Sequence, residues 1–304
     1  MRDTFVKTLI EEAKVNSKIE LVTGDLGFGV LKPFIEQLPN QYTDAGIAEQ
    51  NMTSVAAGMA REGKIVVTYS IGNFPTLRCL EQIRNDCCYH NANVKVVAIG
   101  GGFTYGSLGM SHHATDDLSV LRGLPGLTIL APGDAYEAVA CTRYMVNHDG
   151  TFYLRLDRGG DAPTHNHEFD VDKIVRGLNI REYMKDAVIL SAGGILNVAN
   201  AVSKEMEITL YSFPMVKPLC KETIEELAKK YSHIFTIEEN NIIGGFGSAV
   251  CEIVAEMEGP KAIVHKIGVN DCYSTIVGNQ AYLRDVYGLS KEKVIATISK
   301  ILKR

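Results

Sequence analysis

The sequence predicts an α/β protein of two domains, each a mostly parallel sheet flanked by helices. Three observations carry this. The chain has 304 residues, about twice a usual domain. Short β-branched runs alternate with longer helical patterns from one end to the other, the pattern of strands joined by crossover helices. A stretch from Asp157 to Asp172, with Gly159, Gly160, Pro163 and several charges, breaks the periodicity and reads as a linker. The domains are accordingly placed at 1–168 and 169–304.

In chain order, the strand candidates are 20–23, 64–69, 94–99, 127–130, 187–191, 208–211, 234–237 and 262–266. Helix candidates lie around 4–15, 46–62, 76–89, 134–147, 197–205, 220–231, 247–257 and 290–302. Sheets of this kind are covered on both faces, so ligands gather at the carboxyl ends of the strands, where the loops are.

Composition narrows the function. The chain is 46% hydrophobic and 22% charged with a formal net charge of −5, which gives no electrostatic reason to expect nucleic acid or an anionic membrane as partner. No apolar run approaches the roughly 20 residues that cross a bilayer. Met1 to Lys14 mixes charged and apolar residues as an amphipathic helix, not as a signal peptide, and a cytoplasmic location is expected. The seven cysteines form no CxxC pair and no zinc-spaced cluster, which suits reduced thiols used in packing.

Four segments could carry chemistry. Thr43 to Asn51 runs into a small-residue helix and puts Glu49 in its first turn, where the dipole favours a carboxylate; a helix-start glutamate and a catalytic one read alike here. The glycine-rich run Gly100 to Gly109 follows a strand and leads to Ser111-His112-His113. Glycines let backbone approach a ligand, and the histidines are acid/base candidates, although loop histidines are often inert. The run matches neither GxxxxGK[ST] nor GxGxxG leading into a helix. Arg155 and Arg158, just past a strand, could clamp an anion or pair with Asp157 and Asp161. Finally, Thr236 to Val250 is a strand, an acidic turn and a glycine turn opening a helix, either an anion site or a tight packing turn.

Together and in this order, the four segments resemble the carboxyl-terminal half of transketolase, and most of all the carboxyl-terminal subunit of split transketolases. Gly46-Ile47-Ala48-Glu49-Gln50-Asn51-Met52 resembles the segment that activates thiamine diphosphate, Ser111-His112-His113 stands at the family's Ser/Thr-His-Gln position, and Asp117 to Arg122 follows as in deoxyxylulose-phosphate synthase. Lys217-Pro218-Leu219, Glu238-Glu239-Asn240 and Gly244 to Gly247 are similar to stretches of the terminal domain. The resemblance implies a pyrimidine-binding domain followed by a transketolase carboxyl-terminal domain. It also implies roles. Glu49 would hydrogen-bond the aminopyrimidine, Phe74 would stack on it, and Asp25 and Arg78 would lie at the cofactor; His112 would move a proton at substrate oxygen, and Arg158 would bind substrate phosphate.

The Gly-Asp-Gly segment that holds the diphosphate through Mg2+ in this family has its nearest counterpart in Gly24-Asp25-Leu26-Gly27, at the pyrimidine-domain position instead. No metal ligand is therefore assigned to this chain. An amino-terminal pyrophosphate-domain subunit is implied as partner, in a heterotetramer. Around the substrate, Gly100, Ser107, Leu108 and His113 stand where split transketolases typically have His, Glu, Asp and Gln. A sugar or sugar-phosphate donor or acceptor of changed hydroxyl pattern is expected, with Leu108 read as a buried apolar replacement. The expected reaction is transfer of a two-carbon ketol unit from a ketose phosphate to an aldehyde. Decarboxylative ketol formation, a 2-oxoacid decarboxylase beta subunit and a noncatalytic assembly subunit are the alternatives. The chain alone should turn over no substrate, and a chain bearing the Gly-Asp-Gly segment should restore Mg-dependent turnover; full activity of the purified single polypeptide would refute the division of labour.

Overall fold

The structure, a computed structural model, describes residues 1–27, 29–158 and 162–303. Gly159, Gly160 and Asp161 of the expected linker lie outside the described residues. The first half supplies α1 (Arg2–Val15), β1 (Ile19–Thr23), α2 (Lys32–Gln37), β2 (Tyr42–Asp44), α3 (Glu49–Arg61), β3 (Ile65–Ile71), α4 (Leu80–Gln82), β4 (Val94–Ile99), α5 (Asp117–Arg122), β5 (Leu127–Leu130), α6 (Ala135–Asn147) and β6 (Thr151–Leu156). The second supplies β7 (Leu178–Arg181), β8 (Ala187–Ala192), α7 (Leu196–Met206), β9 (Thr209–Ser212), β10 (Met215–Lys217), α8 (Lys221–Lys230), β11 (His233–Asn241), α9 (Phe246–Glu256), β12 (Ile263–Val269), α10 (Gln280–Val286) and α11 (Lys291–Ile301).

Two sheets result. One has seven strands in the order β10-β5-β6-β4-β3-β1-β2, the other five in the order β12-β11-β8-β9-β7. Every pairing is parallel except those of the edge strands β10 and β7. The central strands β4, β6 and β8 are buried along their whole length, the signature of sheets covered on both faces. Helices cover them with one apolar stripe each. In α8 the buried residues are Ile224, Leu227 and Ala228, and Lys229 and Lys230 in its last turn suit the negative end of the dipole.

Three differences from the sequence reading matter. The expected helix 76–89 is broken into a 3-10 turn, the short α4 and a π-helical turn at Ile83–Cys88. The chain beyond 169 returns a strand to the first sheet, where β10 pairs antiparallel with β5. And Arg155 lies within β6, fully buried, not past its end. Its Nε donates to Asp117 at 2.9 Å, and its Nη2 donates to the carbonyls of Ala114 at 2.7 Å and Glu239 at 2.9 Å. It is a strut between the domains, not an anion clamp.

The glycine turn before α9 finds its anion internally, since the carboxylate of Glu238 accepts the amides of Phe246 at 2.7 Å and Gly247 at 2.8 Å. Burial pushes the Glu238 carboxyl up to about 7 despite these two bonds. Next to it, Glu239 accepts the amide of Phe103 at 2.7 Å, Nε of Arg284 at 2.7 Å and Nε2 of Gln280 at 3.1 Å. Deleting this carboxylate removes the nearest counter-charge of a buried guanidinium and the acceptor of a buried amide, so Glu239→Ala should lower unfolding free energy by about 3–5 kcal/mol in urea denaturation, with Glu239→Gln costing less.

Candidate active site

Four of the residues singled out from sequence, Glu49, Phe74, Arg78 and His112, meet at the carboxyl edge of the first sheet, on the loops that follow β2, β3 and β4. The loop after β2 is shaped by Asp44, whose Oδ1 accepts the amides of Asp25 and Gly46, both at 2.9 Å. Gly46 takes a positive φ of 71° and turns the chain into α3, which starts at Glu49. Glu49 is buried at the amino end of that helix. Asp25 itself has a positive φ of 51° and an exposed side chain. Its backbone braces the loop.

The loop after β3 brings Arg78 to Glu49, with Nη1 donating to Oε2 at 2.7 Å. The Arg78 guanidinium also lies over the ring of Phe74, 4.5 Å from its centroid. Phe74 in turn meets His112 edge to face, with ring centroids 5.1 Å apart. Glu49, Arg78, Phe74 and His112 therefore form one continuous contact chain across three loops: a carboxylate, a cation, an aromatic face and an imidazole. His112 sits in a 3-10 turn, Met110–His112, and its Nδ1 lies 3.0 Å from Ser111 Oγ. Burial first, and the neighbouring His113 second, hold its pKa below the usual 6.5. At neutral pH the imidazole is thus uncharged and able to accept a proton.

Asn73, which the sequence reading passed over, ties two of these loops together. Its Nδ2 donates to the carbonyls of Ser111 at 3.3 Å and His113 at 3.0 Å, on either side of His112. Nothing in an isolated sequence marks an asparagine for this, because its partners lie almost forty residues away.

The substrate-side expectations fare differently. His113 is buried, with Nε2 donating to the Gly106 carbonyl at 3.0 Å and Nδ1 bonded to Ser274 Oγ. Since the carbonyl can only accept, the proton sits on Nε2 and the neutral ring accepts from the serine. No ring nitrogen is left to face a substrate; His113 locks the glycine-rich loop to the terminal domain. Leu108 is 55% exposed in this chain, which corrects the expectation of a buried leucine. Gly100 has a φ of 104° and carries the ring of Tyr105 over it. Arg158 is exposed at the exit of β6. Among the described residues, Asp134, Glu137 and His165 could together hold a metal, but Asp134 is consumed by the amides of Glu137, Thr164 and His165 at 3.0, 2.9 and 2.8 Å. Neither Glu49 nor His112 belongs to that group.

Residues 1–166 match the transketolase pyrimidine-binding domain and residues 177–294 the transketolase carboxyl-terminal domain. The chain belongs to the transketolase family. This transketolase-type chain is 30% identical to one subunit of an apulose-4-phosphate transketolase from Actinobacillus succinogenes, over 91% of the chain and 90% of that protein. It is likewise 30% identical to a 6-deoxy-6-sulfo-D-fructose transketolase subunit, SqwH, from a Clostridium species, over 100% of the chain and 95% of that protein. A solved split-gene transketolase, an inactive beta4 tetramer, superposes with a TM-score of 0.89 at 32% identity, covering 99% of the chain and 98% of that structure. The domain order, the split-subunit relatives and the mechanism class read from the four segments agree: this is a transketolase-type transferase subunit of the split kind.

If the Asn73 amide is what holds the turn bearing His112, Asn73→Ala should speed hydrogen exchange at the His112 and His113 backbone amides about tenfold, with protection in β4 unchanged. Unaltered exchange in the turn would show that the two bonds carry no strength.

Proposed function

We propose that this chain is the pyrimidine-side half of a thiamine-diphosphate site, which it completes with a pyrophosphate-domain subunit in a heterotetramer, and that the assembly transfers a two-carbon ketol unit between sugars. The observation that carries this is the contact chain from Glu49 through Arg78 and Phe74 to His112.

The residues present fit the aminopyrimidine end of the cofactor. A buried carboxylate at a helix start can accept from a ring nitrogen, and the partly exposed Phe74 ring offers a stacking surface beside it. Thiamine diphosphate, when bound, supplies the carbon nucleophile of the reaction. What this chain adds is orientation and charge. Arg78 engages Oε2 of Glu49, which fixes the carboxylate and leaves Oε1 for the cofactor. The uncharged His112, held by Ser111 and the edge of Phe74, is placed to take a proton from a substrate hydroxyl or return it. The diphosphate and its Mg2+ are assigned to the partner, because the segment that resembles Gly-Asp-Gly, Gly24 to Gly27, lies beneath Glu49: a Cβ on Gly24 would meet the Gly46 carbonyl at 3.0 Å and Glu49 Cγ at 3.9 Å.

The names of two relatives, for apulose 4-phosphate and for 6-deoxy-6-sulfo-D-fructose, support a sugar outside the common ketose phosphates for this chain as well. Arg158, exposed beyond β6, suits an anionic group at the far end of such a sugar. No helix among the described residues is long and apolar enough to cross a membrane, and all seven thiols are free, which supports a cytoplasmic setting.

Glu49→Gln keeps the shape and removes the charge. In the complex isolated with its partner, proton–deuterium exchange at cofactor C2 should slow by about 100-fold or more, while assembly is retained. An exchange rate equal to that of the unaltered complex would reduce Glu49 to a helix-start residue and remove the basis of this reading.

A further inference from the structure

Gly100 ends β4 with a φ of 104°, and its amide donates to the Leu156 carbonyl at 2.7 Å, as does that of Gly101 at 3.2 Å. These bonds set the start of the glycine-rich loop beside the exit of β6, from which Asp157 and Arg158 follow. A Cβ on Gly100 would lie 2.3 Å from Cδ2 and 2.5 Å from Cε2 of Tyr105. The ring of Tyr105 thus fills the volume that any side chain at position 100 would need.

That placement is held firmly. The carbonyl of the next residue, Gly106, accepts from His113 Nε2 at 3.0 Å and from the Gly278 amide at 3.2 Å. A Cβ on Gly106 would meet Leu283 Cδ1 at 2.4 Å and the Gly278 carbonyl at 2.5 Å, so the terminal domain presses on the loop just past Tyr105. The Tyr105 ring, partly exposed, stands edge-on to His112 with centroids 6.5 Å apart. It borders the imidazole on one side and covers Gly100, whose amide is bonded to the last residue of β6, on the other.

We propose that Tyr105 is a specificity-determining residue, a rigid aromatic wall that substrate meets between His112 and the end of β6, from which Arg158 follows. This rests on the transketolase-type reading of the site. A ring in this position limits the length and bulk of the ketose between its reacting end and its anionic end, and favours C–H surface over hydroxyls against its face. The wall selects compact, sparsely hydroxylated anionic ketoses.

The test uses the complex of this chain with its partner, and three donors of increasing length: xylulose 5-phosphate, fructose 6-phosphate and sedoheptulose 7-phosphate. Tyr105→Val should raise the seven-carbon to five-carbon ratio of kcat/KM about tenfold, the range of a single altered pocket contact, through KM more than kcat. Tyr105→Met, which refills part of the volume should the smaller residue loosen the loop, should move the ratio the same way by less. C2 exchange, measured alongside, should stay at the unaltered rate in both. A fixed ratio in variants that retain C2 exchange overturns the proposal and leaves the reading of Glu49 intact. Absence of C2 exchange in the unaltered complex overturns both, and so separates the two failures.

Discussion

The buried carboxylate of Glu239 is the interaction on which the rest of the molecule depends. It stands at the end of β11 in the terminal domain, yet it accepts the amide of Phe103 from the first domain's glycine-rich loop as well as Arg284 and Gln280 from its own domain. Its main-chain carbonyl takes Arg155, which Asp117 neutralises and which also binds Ala114. A carboxylate so deep survives only because these donors replace the water it gives up. The balance is close. Asp157, which shares Arg284 at 3.9 Å, has its pKa pushed up to about 6, first by burial and then by the charge of Glu239.

From this anchor the loop after β4 acquires its shape. Its base is closed by the bridge between Gly102 and Ala114, its middle by Gly106 and His113 on the segment that holds Ser274 and Gly278, and its tip by the amide of Asn73. His112 is thus fixed from three sides while its own ring, among the described residues, is engaged by Ser111 and the edges of Phe74 and Tyr105. The proton transfer proposed for His112 would gain from such an arrangement, because a rigid frame loses little entropy when a substrate is aligned against it. The terminal domain, which contributes no residue to the contact chain of Glu49, acts on the site through the loop it holds.

The electrostatics at the other end of the site follow the opposite logic. Glu49 keeps one strong partner, the half-exposed Arg78, and no buried network. One carboxylate oxygen is committed to Arg78, and the other has no hydrogen-bond partner among the described residues.

The sequence by itself determined the α/β class and the parallel core strands, because buried β-branched runs alternating with helical ones are local patterns, whereas Glu49, Phe74 and His112 were singled out by the order of four segments that resemble a known family and not by any one pattern. The same resemblance pointed to Arg78, though not to its bond with Glu49. Tertiary structure decided everything that depends on contacts between distant segments. Arg155 read equally as an anion clamp or as half of a surface ion pair just past a strand, and only its burial beside Asp117 decides the matter. His113 read as a substrate contact because it stands where the resembling enzymes have a glutamine, but its ring turns to Ser274, 161 residues on. Leu108 and Gly100 read as losses in a substrate pocket; one proved exposed and the other covered by Tyr105. A sequence records which groups are available, whereas which of them face a ligand and which are spent on holding the fold is settled by pairings over long separations, and no local pattern encodes those.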